Sequence, residues 1–549
     1  MRYVNQNIAM KTSIKHHIRF AILGLLLFLG AGCEEFLERD HPTATTDELW
    51  WRSQNNLNDY LGSIYTNMLP TGALSGAQYR ARVHMSGVTD EAVFRANFGT
   101  WHQFVTNLLT PADGYVTDMY RYNYAFIRDC SRILENYERV YVADAALKRR
   151  FAAEARALRA YAHLNLLLFF GPTPIIDRVV DFVDEDVKML PRNTQDEVVQ
   201  FISSELDLAA ADLPDTYSEA ELYRMSKGVC YALQVQLHLN VHNYEKVIEY
   251  FGKLRDLDKF HFHTGNYADI FTYAALTNQE RILIQPRGNQ GVMGRLGPAS
   301  VPGGQATMSI TSSLVDAYET LDGRTLDELS EAERQAFIEN PIYNNNRDPR
   351  LAATVLLPGA TLLPGVVYQP FDNNTGNTTR LGYNSANVSG YLVKKYLSEQ
   401  DRTAQYGGGN LNFIVIRYTE MMLSYVEALV ESGQITHPDV KAYLNQIRSR
   451  AGLPDYDETK YNTQEKLREL YRRERFVELA LEGTRLFDIR RWKIGKEVLD
   501  GPVYGAYNPG AGSRVRVEDR LFLEERDYVW PIPLTEMNNN KAMVQNPNW

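Results

Sequence analysis

The sequence predicts a mainly α protein in which helices stack in pairs and a loop-rich region interrupts them. Two long stretches carry apolar residues at three- and four-residue spacing, from Leu57 to about Leu257 and again from Arg417 onward. Between these stretches, residues 285–310 and 340–390 are rich in Gly, Pro and Asn, which is typical of turns. A chain of 549 residues is long enough to bury a sizeable core. We therefore expect a helical scaffold with an irregular face.

The stretch from Leu147 to Phe170 predicts one long helix. Gly171 and the prolines that follow it are expected to end this helix. Five residues recur at helical spacing and form one stripe, namely Phe151, Ala155, Leu158, Ala162 and Asn165.

The stretch SKGVCYALQVQLHLNVHNYEKVIEYFGKL, from Ser226, predicts two helices joined at His242-Asn243. Paired helices with small residues where they cross resemble tetratricopeptide units, which stack because a single pair cannot bury its faces. The fold class predicted is therefore a superhelical scaffold of stacked tetratricopeptide-like pairs.

A later run, LRELYRRERFVELALEGTRLFDIRRW, also has helical patterning. Five of its residues are expected to share one helix face, namely Phe476, Leu479, Ala480, Gly483 and Phe487. A glycine inside a helix costs about 1 kcal/mol relative to Ala. Its presence indicates close backbone packing at Gly483.

The N-terminal residues have the pattern of an export signal. Basic residues precede an uninterrupted apolar stretch from Phe20 to Gly32, which at 13 residues is shorter than the roughly 20 that a membrane span needs. The stretch Leu29-Gly30-Ala31-Gly32-Cys33 resembles the lipobox of bacterial lipoproteins. We expect residues 1–32 to be removed and Cys33 to be lipidated; the alternative is an ordinary signal peptide cleaved elsewhere.

The charge of the chain argues against nucleic acid as the main ligand. The formal net charge is -10, and it becomes -14 when residues 1–32, with four cationic side chains and no acid, are removed. Apart from Cys33, the cysteines are Cys130 and Cys230, both within helical patterns. Two buried thiols are the simpler interpretation, and a disulfide between them is the alternative.

Catalytic and metal-binding patterns are weak in this sequence. Asp90-Glu91 could be paired carboxylates, but neighbouring residues point apart and we expect structural or solvated acids. Two histidine pairs, His261 with His263 and His238 with His242, have metal-ligand spacing but lack a recognisable third ligand. The sequence contains neither a G-x-S-x-G serine nor a phosphate-binding loop. We therefore expect no enzyme activity, no cofactor and no metal.

Six stretches together resemble the SusD/RagB family of Bacteroidetes outer-membrane nutrient-binding lipoproteins. They are ALRAYAHLNLLLFFGPTP (157–174), NNRDPRLAATV (345–355), RYTEMMLSYVEAL (417–429), LNQIRSRAGL (444–453), RERFVELALEGTRLFDIRRW (473–492) and VWPIPLTEMNNNKAMVQNPNW (529–549). This resemblance implies one SusD-like domain over residues 33–549. Within it, the helical scaffold is expected at about 45–258 and 411–495, the loop-rich insert at about 259–410, and a C-terminal extension at 496–549.

The family resemblance also implies a function. It implies a lipid-anchored protein, exposed on the cell surface at the outer membrane, that captures oligosaccharide. The captured ligand would be delivered to a SusC-like TonB-dependent transporter, over which the protein acts as a lid. A peptide-binding uptake protein is the first alternative, and a surface hydrolase is the second.

The candidate ligand site centres on Trp101. Five of the six tryptophans have structural explanations, namely Trp50, Trp51, Trp492, Trp530 and Trp549. Trp101 lies in RANFGTWHQF, a segment that carries ligand aromatics in the glycan-binding members of the family. A sugar stacks its C–H face on an aromatic ring while its hydroxyls need polar partners. We expect those partners to be Tyr79, Arg80, Asn97 and His102; the alternative is that Trp101 fills the core beneath a loop.

Overall fold

The structure is a computed structural model of the 549-residue chain. It describes residues 50–69, 82–95, 99–180, 189–285, 292–299, 304–363, 365–401 and 411–549. The predicted export signal and the predicted lipidation site, Cys33, lie outside the described residues.

Helices dominate the described residues. In chain order they are α1 (Gln54–Met68), α2 (Arg82–Met85), α3 (Gly114–Asn136), α4 (Ala145–Phe170), α5 (Gln195–Asp212), α6 (Lys227–Asn240), α7 (Tyr244–Asp256), α8 (Val292–Leu296), α9 (Ser312–Ala317), α10 (Glu331–Glu339), α11 (Pro349–Thr354), α12 (Tyr418–Glu431), α13 (Pro438–Arg450), α14 (Gln464–Glu478), α15 (Arg485–Trp492), α16 (Gly495–Val498) and α17 (Leu534–Asn539).

The long helix predicted from Leu147 is confirmed as α4. Asp144 caps its N-terminus by accepting hydrogen bonds from the amides of Ala146 at 2.8 Å and Leu147 at 3.2 Å. The helix ends where Gly171 takes a φ of 73°, a left-handed value that favours glycine. Four of the five predicted stripe residues are buried, and Asn165 is half-buried.

The helix pair predicted from Ser226 is confirmed as α6 and α7. His242 makes the corner with a φ of 57°, and Asn243 then caps α7 by accepting from the amide of Lys246 at 3.3 Å. On the inner face of α7, Phe251 stacks on Tyr425 of α12, with ring centroids 4.6 Å apart. This contact joins the N-terminal helices to the later run.

The helices stack in the order that a tetratricopeptide-like scaffold requires. Each helix from α3 to α7 packs against the next, and α7 packs against α12. α12 in turn packs against α13 and α14. Buried side chains from both helical runs belong to one continuous hydrophobic core. The predicted fold class, mainly α with stacked tetratricopeptide-like pairs, is confirmed.

The strands are short and come mostly from the loop-rich middle of the chain. They are β1 (Ala92–Phe94), β2 (Arg281–Ile284), β3 (Met308–Ile310), β4 (Val355–Leu356), β5 (Thr361–Leu363), β6 (Val366–Val367), β7 (Leu392–Val393), β8 (Ile414–Arg417), β9 (Gly501–Asn508) and β10 (Ser513–Arg520). Four of them form an antiparallel sheet in the order β1-β3-β7-β4. β9 and β10 form a hairpin that follows the last scaffold helices.

The expectation that residues 476 to 487 share one helix face is wrong. α14 ends at Glu478 and α15 begins at Arg485. Between them the chain turns through Leu481 and Gly483, whose φ values are 65° and 76°. Gly483 therefore lies in a left-handed turn, where glycine is favoured because it has no Cβ.

Charged side chains of the C-terminal motifs are buried in the core as ion pairs. Arg417 contacts Glu280 at 2.9 Å and Glu482 at 2.7 Å, and all three side chains are buried. Arg350 contacts Glu478 at 3.0 Å. Burial disfavours the ionised form of the Glu478 carboxyl. Arg450, Arg417 and Arg350 nevertheless hold the pKa of this carboxyl well below its usual value. These charges therefore connect the scaffold to the loop-rich insert.

Cys130 and Cys230 are both buried free thiols, as the simpler interpretation predicts. Burial raises the pKa of each thiol. Among the helices of the described residues, none is both long enough and apolar enough to cross a membrane.

Candidate functional site

The chain that leads into the candidate site is anchored by C-terminal arginines. Arg485 of α15 donates two hydrogen bonds to Asp90, Nε to Oδ1 at 2.8 Å and Nη2 to Oδ2 at 2.6 Å. Arg520, at the end of β10, donates to the carbonyl oxygens of Thr89 at 2.5 Å and Ala92 at 2.9 Å. These four contacts fix the backbone immediately before and at the start of β1.

β1 then holds the chain in the four-stranded sheet. Ala92 pairs with Ile310 and Phe94 pairs with Met308. Beyond the strand, the amide of Arg95 donates to the carbonyl of Thr307 at 3.0 Å. The chain therefore leaves the core from a fixed position on its way to the candidate site.

The 99–109 segment carries the predicted site and packs on the C-terminal extension. It begins with a 3-10 helix, Gly99–Phe104. The ring of Phe104 lies 4.6 Å from that of Trp530, between centroids. Val105 accepts a hydrogen bond from the amide of Leu521 at 3.1 Å, and Asn107 accepts one from Arg526. The segment is therefore held at its end, and the chain that precedes it is held as well.

His102 and Glu518 form a polar pair at the surface of this segment. The Nδ1 atom of His102 lies 3.3 Å from Oε2 of Glu518, with side chains 55% and 12% exposed. The other carboxylate oxygen of Glu518, Oε1, accepts a hydrogen bond from Nε of Arg520 at 2.7 Å, so Oε2 and the imidazole are the groups left to a ligand hydroxyl. Glu518 was not predicted as a site residue, because nothing in its local sequence distinguishes it from the other charged residues of β10.

The structure places Trp101 and His102 on the same turn of the 3-10 helix. The side chain of Trp101 is outside the description, although its backbone is within it. Tyr79, Arg80 and Asn97 lie outside the described residues. The grouping of these four residues with His102 therefore stays a prediction.

Asp90 and Glu91 have separate structural partners. Asp90 is engaged by Arg485, while Glu91 accepts a hydrogen bond from the amide of Leu481 at 3.2 Å. Burial raises the pKa of Glu91 to about 7. Both side chains are buried and tie the start of the site to the turn and helix near Gly483.

The histidine pairs contribute packing and surface contacts. His238 stacks on Tyr250, with centroids 5.7 Å apart and rings inclined by 4°. Burial lowers the pKa of His238 to about 4. His261 lies 3.6 Å from Asp258 at the surface. Within the described residues, His, Cys, Asp and Glu form no group of three or more that could hold a metal ion.

Comparison with known proteins gives matches along nearly the whole chain. The model of the SusD family matches residues 277–549, and a model described as starch-binding associating with outer membrane matches residues 35–239. SusD-like protein P2 of Formosa agariphila is 25% identical, covering 97% of this chain and 100% of that protein.

Solved structures agree with these sequence matches. A SusD-like carbohydrate binding protein from Bacteroides fragilis aligns with a TM-score of 0.80 and 27% identity, covering 90% of this chain and 100% of that chain. A laminarin binding SusD-like protein aligns with a TM-score of 0.68 and 20% identity, covering 91% and 100% of the two chains. At 20% identity, the second alignment supports the fold alone.

The helices form a helical-repeat scaffold, and its C-terminal extension holds the 99–109 segment in place. The family matches extend over both the scaffold and the extension. The chain belongs to the SusD/RagB family, and the resemblance found in the sequence motifs is confirmed.

Proposed function

We propose that this protein is a cell-surface glycan-binding lipoprotein. It captures oligosaccharide at the outer membrane and delivers it to a SusC-like TonB-dependent transporter, without chemical change to the ligand. The observation that carries the proposal is the alignment, over 90% of this chain, with a Bacteroides fragilis relative described as a SusD-like carbohydrate binding protein.

The construction of the 99–109 segment supports a binding role. Sugar recognition needs an aromatic platform and polar groups that are held in place before the ligand arrives, because ordering them on binding costs free energy. The anchors at Asp90 and Thr89 lie before the segment, and the contacts of Val105 and Asn107 lie at its end. We place Trp101 as the platform, with His102 and Glu518 as polar partners and with Tyr79, Arg80 and Asn97 completing the site.

The absence of a chemical step is supported by the state of the two neighbouring carboxylates. A glycoside hydrolase needs two carboxyl groups that flank one scissile bond. Asp90 is bound by Arg485, and Glu91 is buried against the amide of Leu481. Neither carboxylate is therefore available to the ligand.

The experiment that tests this proposal compares ligand classes. The purified protein is run on native gels containing plant or host polysaccharides, and a peptide digest is titrated into it by calorimetry. We expect retardation by at least one polysaccharide and no heat from the peptides. Peptide binding with no retardation by any polysaccharide would instead support a peptide-uptake protein. Release of reducing sugar from a retained polysaccharide would show that the protein is a hydrolase.

A further inference from the structure

A second cleft, here called the α3 cleft, lies between α3, residues 174–180 and the C-terminal helix α17. Its volume is about 520 Å³, within the range of about 300–1,000 Å³ typical of small-molecule sites. The described residues that line it include none from the 99–109 segment. It is therefore distinct from the site proposed above.

Three walls form the cleft. α3 contributes residues at helical spacing, which lie on one face: Thr117, Tyr120, Arg121, Tyr124 and Arg128. The second wall, in the segment 174–180, contributes Pro174, Ile176, Arg178 and Val180. α17 and its flanks close the third side with Glu536 and Asn540.

Hydrogen bonds hold the three walls in position. The hydroxyl of Tyr124 donates to the carbonyl of Pro174 at 2.8 Å. The side-chain amide of Asn540, which follows α17, donates to the carbonyl of Leu190 at 2.8 Å and so connects α17 to the chain after residues 174–180. A cleft built in this way exists before a ligand binds and avoids much of the ordering cost of binding.

The lining combines an apolar wall with a cationic rim. The rings of Tyr120 and Tyr124 lie 4.9 Å apart and, with Ile176, form an apolar surface. Arg121, Arg128 and Arg178 are exposed at the rim.

The charge of this lining contrasts with that of the whole chain. Glu536 is the acidic residue among the described lining residues, so arginines outnumber acids three to one there. The chain as a whole carries a formal charge of -10. Arg121 pairs with Asp118 at 2.9 Å in an exposed contact, which is the kind that contributes little stability and can be exchanged for a ligand.

We propose that the α3 cleft binds a small acidic saccharide, with its carboxylate at the arginine rim and its C–H face against Tyr124 and Ile176. Guanidinium groups recognise carboxylates through paired hydrogen bonds. The sugar ring requires an apolar wall of the kind that Tyr124 supplies. This inference goes beyond the proposed function, because the site, its residues and the charge of its ligand all differ from those of the 99–109 segment.

The test uses two disaccharides that differ in one group. Cellobiouronic acid carries a carboxylate where cellobiose carries a hydroxymethyl group, and each is titrated into the full-length protein in detergent by calorimetry. We expect the acid to bind at least about tenfold more tightly, a difference of about 1.4 kcal/mol. Binding of the acid should also weaken as salt is raised, because the arginines are exposed.

Two variants and one control locate the binding. The double substitution Arg128→Gln and Arg178→Gln should raise the Kd of the acid at least tenfold, and Thr535→Trp should block the cleft while keeping its arginines. Arg149→Gln, an exposed arginine of α4 outside the cleft, should leave the Kd unchanged. All of these positions are exposed, so each variant should melt at the temperature of the natural protein.

Four results would overturn the proposal: no binding of the acid, equal affinity for cellobiose, an unchanged Kd in both cleft variants, or acetate binding as tight as that of the acid. Acetate is the last ligand titrated, because a site for carboxylate alone would bind acetate as tightly as the disaccharide acid. That result would contradict a saccharide site. Polysaccharide binding is measured separately on gels and is assigned to the 99–109 segment by Trp101→Ala, so failure of either proposal leaves the other to its own experiment.

Discussion

Arg485 and Asp90 are 395 positions apart in the chain and form a buried ion pair with two N–O contacts, at 2.6 and 2.8 Å. This pair joins α15 to the residues that lead into β1 and the 99–109 segment. Arg520 reaches the same residues from β10. Residues from the C-terminal part of the chain therefore position the surface segment near residue 100.

We expect Asp90→Asn to lower the free energy of unfolding by about 3–5 kcal/mol, because it leaves the Arg485 guanidinium buried without its carboxylate. Urea denaturation followed by circular dichroism measures this change. The matched control is Asp212→Asn, whose partner Arg149 is exposed, and a loss of at most about 1 kcal/mol is expected there. Equal losses in the two variants would show that the buried pair does not anchor the segment.

The raised pKa of Glu91 predicts a pH-dependent contribution to stability. Burial raises this pKa from 4.5 to about 7, so the folded protein holds the proton more tightly than the unfolded chain. The contribution is complete below pH 4.5 and is lost as the pH rises through 7. It amounts to about 3 kcal/mol at most, from about 1.4 kcal/mol per pH unit.

Glu91→Gln removes this titration while keeping the shape of the side chain. The difference in unfolding free energy between the natural protein and this variant should therefore change between pH 5 and pH 8, with the natural protein losing more stability. Urea denaturation at both pH values measures it. Equal changes of unfolding free energy in the two proteins between pH 5 and pH 8 would mean that Glu91 is already ionised in the folded state at pH 5.

The sequence predicted the helices well where local patterns decide the structure. α4 follows from its apolar stripe and from Gly171, and α6 and α7 follow from the corner at His242. The turn at Leu481 and Gly483 was not predicted, because the apolar spacing continues through it. The backbone makes this turn with both residues in a left-handed conformation. Helical spacing alone does not reveal such a turn.

The sheet and the buried charges could not be predicted from local patterns. β1 pairs with β3 across more than 200 residues, and each strand is only three residues long. Glu478 and Arg417 would ordinarily be assigned to the surface, but each finds partners that are distant in sequence. The same holds for Glu518, whose contact with His102 depends on how β10 packs.

Lipidation of Cys33 is expected because a short apolar run ends in small residues immediately before it. Cells grown with labelled palmitate should label the natural protein and leave Cys33→Ala unlabelled. Equal labelling of the two proteins would assign the anchor elsewhere.

A stable complex with the transporter is expected without added ligand, because a lid requires a wide interface and stable interfaces bury upwards of about 1,200 Å². Extraction of the native membrane in mild detergent, followed by affinity purification and mass spectrometry, should recover both proteins. The control is extraction from cells that lack the transporter gene. Recovery of the lipoprotein alone from cells that express both would contradict a stable lid.

The most direct test of glycan capture by the 99–109 segment is a binding isotherm for a retained polysaccharide, together with a melting curve, for Trp101→Ala. The control is Tyr141→Ala, which removes an aromatic ring that is 78% exposed on another part of the surface. Loss of one sugar stack, roughly 1–2 kcal/mol, should weaken binding by about tenfold. We expect this weakening with an unchanged melting temperature, and no change in either quantity for Tyr141→Ala. Unchanged binding in Trp101→Ala would contradict the account. Lost binding together with a large fall in melting temperature would also contradict it, because removal of a core tryptophan lowers the free energy of unfolding by about 3–5 kcal/mol.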